Sequence, residues 1–157
     1  MIYANIGRSL VALGLVLSSV FAAAAPPVNT LKNSFFSTRT DTAINGYDSV
    51  AYFIQKAPVA GQDAFTFEWK SAKWKFASQA NLDLFKANPE KYAPQYGGYC
   101  AYGVATDGLV KVDPAQFTIF DGKLYLNYDA DVQKKWAQDR AGYIKQADVK
   151  FPALLAK

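Results

Sequence analysis

The only cysteine of the chain, Cys100, lies in the stretch Gln95–Gly103 (QYGGYCAYG), behind the pair Gly97 and Gly98 and among Tyr96, Tyr99 and Tyr102. These residue types suit three kinds of chemistry. A thiol at the start of a short helix, here expected through Val104, has its pKa lowered and becomes a nucleophile or soft-metal ligand. Glycines let a ligand approach backbone N–H groups closely. The tyrosines, joined by Tyr47, Tyr52 and Tyr92, offer apolar faces with polar tips, as small-molecule sites do. Against this stands packing: unpaired cysteine is among the most buried residue types, and tyrosine commonly fills cores and rims. A disulfide joining two copies through Cys100 is the third alternative.

The missing residues narrow the field. With no histidine in the chain, a Ser-His-Asp or Cys-His pair cannot be built, nor can the usual acid–base group near neutral pH. A structural zinc site wants four N or S ligands and a catalytic one three plus water, and blue copper wants two histidines and a cysteine. One subunit cannot complete a soft-metal site. Two Cys100 thiolates from two subunits would hold an ion such as Cu(I) linearly, so a metal role for Cys100 requires sharing. No other cofactor is indicated. No calcium-loop pattern occurs, and Asp129 and Asp131 flank a helix start, where they read as caps. No spacing singles out a catalytic carboxylate pair.

The first residues set the compartment. Arg8 is followed by an apolar run from Leu10 to Phe21, then Ala22 to Ala25 and Pro26-Pro27. This is the charged start, apolar middle and small-residue cut of a secretory signal peptide, residues 1–24, with cleavage after Ala24. A periplasmic or secreted protein is expected, with no membrane-spanning segment after cleavage. The formal charge is +4, and the 17 basic and 13 acidic residues are interspersed. Without a basic stripe, nucleic acid is not an expected partner. A small ligand or a protein partner is.

The elements that must position Cys100 follow from periodicity. Residues 25–43 read as a flexible tether on which Phe35-Phe36 docks. Asp48 caps a helical turn over Ser49–Phe53. Phe65, Phe67 and Trp69 alternate with polar residues, as do Trp74 and Phe76, so the two runs form a hairpin across Ser71-Ala72. Ser78 caps a helix to about Ala87 with Leu82, Phe85 and Leu84 inward. Asn88-Pro89 restarts it, and Pro94 ends it. Asp121-Gly122 joins the strands of a second hairpin. Asp129 caps a last helix, weakened at Gly142 and ended by Pro152, with 153–157 as a C-terminal tail. The fold expected is α+β: a small antiparallel sheet made of two β-hairpins packed by helices, in a single domain. Trp69, Trp74 and Trp136 read as structural.

GYDSVAYF, then FTFEWKSAKWKFASQANLDLFKANPEKYAPQYGGYCAYG, then FDGKLYLNYDADVQKKW, resemble the secreted bacterial branch of the YHS-domain family, over residues 44–152. The resemblance implies a scaffold on which metal-associated members carry thiols at set places. Here Ala51, Ala77 and Asn81 stand at those positions, and the Tyr-His-Ser triplet of the family name is absent. The metal role of the family therefore does not carry over. The expected function is a non-enzymatic binding module, with a small ligand or soft metal ion near Cys100, Tyr96, Tyr99, Tyr102, Gly97, Gly98, Tyr47 and Asp48. The alternatives are a structural or protein-interaction domain with an inert buried thiol, and a thiol redox protein.

Overall fold

The computed structural model describes residues 24–31 and 40–157. The proposed signal peptide and Phe35-Phe36 lie outside the described residues, apart from Ala24.

Two hairpins carry the fold. Strands β1 (Gln62–Trp69) and β2 (Ala72–Phe76) pair antiparallel, with Trp69 opposite Ala72. The turn is therefore Lys70-Ser71, one residue earlier than read from the sequence, and both residues have positive φ. Strands β3 (Asp113–Phe120) and β4 (Lys123–Asn127) are joined by Asp121-Gly122, also both at positive φ, the twist that a two-residue hairpin turn requires. The α+β class holds. The hairpins form two separate two-stranded sheets rather than one, and an isolated parallel bridge, Cys100 to Leu126, lies beside β4.

Six α-helices among the described residues cover them. Helix α1 (Ala51–Ile54) follows Asp48, and α2 (Gln79–Ala87) begins at Ser78, whose side chain accepts from Asn81 N–H. Leu82 and Phe85 are buried, but Leu84 is exposed, since it falls on the far side of the helix from both. Helix α3 (Pro89–Tyr92) is capped by Asn88, with proline in its first turn. Helix α4 (Ala101–Ala105) follows Cys100. The last helix is two. Helix α5 (Ala130–Gln138), capped by Asp129, stops at Asp139, which caps α6 (Arg140–Leu155) by accepting from Gly142 N–H. A Cβ on Gly142 would overlap the Asp139 carboxylate, so this glycine fits a cap rather than weakening a helix.

Pro152 does not end α6. The helix continues to Leu155 because its last turn is held from outside: Leu154 is buried and Ala25 N–H donates to Leu155 O at 3.0 Å. The proline removes one backbone bond near the helix end, where packing compensates.

The core has two parts. Trp74, Phe76 and Phe85 stack together under the first hairpin, with Leu124 and Leu126 of β4. Tyr125 points the other way and packs on Trp136 with Ala147 and Leu154. Alternation along β4 thus serves both parts from one strand.

Residues 24–31 are a docked strap, contrary to the tether expected there. Val28 and Asn29 are 1% exposed. Asn29 N–H donates to Gly97 O and its side-chain amide to Gly98 O, both at 2.9 Å, while Ile44 N–H donates to Asn29 O. Tyr99 Oη donates to Pro26 O. One asparagine thereby ties together two 3₁₀ turns, Ala43–Gly46 and Gln95–Gly98, each containing left-handed residues.

Candidate functional site

Cys100 is the N-cap of α4: its Sγ accepts from Gly103 N–H at 3.3 Å and donates to Asn127 Oδ1 at 3.7 Å. The helix start is as read, but its electrostatic consequence is reversed. The thiol is 1% exposed, and burial pushes its pKa up. The Gly103, Tyr128 and Tyr102 N–H groups pull the other way without prevailing, and the Asp129 charge adds to the rise. The N-terminus of a five-residue helix does not offset the cost of desolvating a thiolate. Cys100 is a protonated thiol bonded on both sides. It is out of reach of a second copy, so neither a disulfide dimer nor a metal ion shared through Cys100 is supported in this fold. Asn127 Nδ2 beside it is buried with no hydrogen-bond partner among the described residues. No group of three His, Cys, Asp or Glu placed to hold a metal ion is found among the described residues.

Asp48 is equally far from solvent. One carboxylate oxygen accepts from Val50 N–H (2.8 Å) and Ala51 N–H (3.2 Å). The other accepts from Ala77 N–H (2.8 Å) and Asn81 Nδ2 (2.7 Å). The capping role read from the sequence is present, and the same side chain also pins the β2–α2 junction to α1. Ala51, Ala77 and Asn81, the positions at which the resemblance places thiols in metal-associated members, all converge on this carboxylate. Charge-assisted hydrogen bonds fill the place of a ligand set there. Asp48 is therefore structural, and it does not join Cys100 in one site.

The aromatic residues separate as well. Tyr99 is fully buried, Tyr102 packs edge-on against Tyr143, and Tyr47 lies on the first core. Tyr52 is buried with its hydroxyl on Pro114 O, and Tyr92 meets Phe53 edge to face. They form no common pocket with Cys100. Gly98 is buried against Ile44, where a Cβ would overlap the Ile44 side chain.

Tyr96 and Gly97 do line a cavity, a cleft of about 410 Å³ between the strap, the Gln95–Gly98 turn and α6. Pro27 and Val28 form one wall, Phe151, Pro152 and Leu155 another, and Trp69 with the Lys70–Glu90 ion pair the rim. This volume is in the range of small-molecule sites. Tyr96 holds φ of 55°, a left-handed conformation that is an outlier for a bulky residue. Its hydroxyl donates to Asp148 Oδ1 at 2.9 Å, with Ile144 O at 3.3 Å. Burial first, then the bond to Asp148, drives its pKa well above the ordinary tyrosine value. Strain of this kind concentrates where a side chain is held for a purpose.

Sequence reasoning missed Asp148, Phe151 and Leu155. Their spacing along α6 puts them on one helical face, the available signal, but the partner face is built from a strap with no periodicity. Trp69, read as structural, also lines the cleft.

A small α+β module with two hairpins, a buried thiol and a cleft floored by a strained tyrosine is the class these features define. Residues 50–96 match the family model of the YHS domain. The match spans α1 to α3 and stops at Tyr96, before Gly97, Gly98 and Cys100. No curated protein and no solved structure matches the chain. No helix among the described residues is long and apolar enough to cross a membrane.

Proposed function

We propose that this YHS-domain chain is an exported, non-enzymatic binding module that takes a small ligand in the cleft between the strap, Tyr96-Gly97 and α6. One observation carries the reading: the cleft has ligand-site volume, mixed apolar and polar walls, and a buried tyrosine held in left-handed geometry at its floor. The leader-like first residues support export. The ligand is moved away from Cys100, whose burial supports an inert thiol and leaves a redox role without an accessible thiolate.

Isothermal calorimetry with three probes of one shape, 4-phenylbutanol, 4-phenylbutylammonium and 4-phenylbutanoate, tests the reading. Saturable binding of at least one, weakened at least tenfold by Leu155→Trp, which narrows the cleft, is the expected result. No saturable binding by any of the three would sink it.

A further inference from the structure

The structure assigns the cleft to an organic ammonium with an apolar body, a reading of its ligand that rests on the proposed binding function. The argument is one of charge and position. At the rim, Lys70 Nζ and Glu90 Oε1 are 2.9 Å apart and cancel each other. Asp148, on the α6 wall, takes part in no ion pair among the described residues and is exposed to the cleft side. Its Oδ1 is fixed by the Tyr96 hydroxyl, which holds the carboxylate in one orientation and leaves Oδ2 open. A neutral donor fixing an anion without cancelling its charge leaves that charge available for an incoming cation.

The apolar walls point to the rest of the ligand. Phe151 meets Tyr96 edge to face at 5.7 Å, and Pro27, Pro152 and Leu155 complete a surface without other charges. The Trp69 ring at the mouth already carries an ammonium, with Lys70 Nζ 4.3 Å from its centroid. With that face occupied, the ligand's cation is left to the Asp148 carboxylate rather than to the ring. Where cleavage follows Ala24, the new α-amino group lies on Leu155 O at the end of α6, where the helix's negative pole engages it, and so it does not neutralise Asp148.

The same three probes decide the question, now by their ranking. The ammonium is expected to bind at least tenfold tighter than the alcohol, and the carboxylate weakest. Asp148→Asn, which keeps an acceptor for the Tyr96 hydroxyl, is expected to bring the ammonium down to the level of the alcohol. Equal binding of ammonium and alcohol, or an unchanged ammonium affinity in D148N, would overturn the ammonium assignment while the cleft itself stands as a binding site. Failure of all three probes overturns both. Binding that emerges only when Phe35 and Phe36 are replaced by serine would show the chain's own aromatics occupying the cleft, and that too overturns the assignment.

Discussion

Replacing Gly97 with alanine tests the seating of the strap, on which the cleft depends. Gly97 has φ of +61°, and a Cβ there would overlap Pro27 O. The left-handed backbone alone costs a residue with a Cβ about 1 kcal/mol. Relieving the overlap moves the strap, and with it the Asn29 bonds to Gly97 O and Gly98 O and the bond from Ile44 N–H to Asn29 O. Those are worth about 1 kcal/mol each, and the burial of Val28 about 2 kcal/mol. Freed strap residues regain about 1 kcal/mol each in conformational entropy, for the few that lift. The net expected loss is about 3 kcal/mol. Gly122→Ala is the control, because Gly122 has φ of +69° with nothing within 4 Å of the added carbon, and about 1 kcal/mol is expected there. Urea unfolding followed by tryptophan fluorescence measures both variants. Equal losses, within about 0.5 kcal/mol, would refute the reasoning, since the strap would then not bear on Gly97.

Further outcomes follow from the buried groups. A thiol reagent is expected to leave Cys100 unmodified in the folded protein and to modify it once denaturant is added; rapid native labelling would contradict its burial. The raised thiol pKa fixes a sign: the unfolded chain loses this proton from its ordinary value near 9, before the folded chain does. Stability present below that pH therefore falls as pH rises, and Cys100→Ala is expected to delay the fall until Tyr52, Tyr96 and Tyr125, whose pKa values are also raised, begin to act from about 10. Identical alkaline profiles in unfolding titrations would count against this. Asp48→Asn is expected to cost about 3 kcal/mol, because either orientation of the amide sets its NH₂ against two buried N–H donors. A loss below about 1 kcal/mol in the same urea assay would remove Asp48 from its place as the pin between α1 and α2.

The sequence by itself determined the local pieces. The Asp121-Gly122 turn, the caps at Ser78, Asn88 and Asp129, and the alternation along β1 and β2 depend on backbone preferences and hydrogen bonds within a few residues, so their residue types announce them. The family is legible for the same reason, since its matched stretch is a string of such signals. Tertiary structure decided the rest. The strap has no pattern of its own, and its anchor, Asn29, finds its acceptor 69 residues away at Gly98. Pro152 reads as a stop, but burial of Leu154 and the contact to Ala25 carry the helix past it. The pKa of Cys100 turned on burial, which no local motif encodes, against a helix start that one does. Asp148 lines the cleft only because α6 folds back over the Tyr96 turn. Short-range geometry is written in adjacent residues, whereas desolvation and cavity shape arise from surfaces that meet only when the chain is closed.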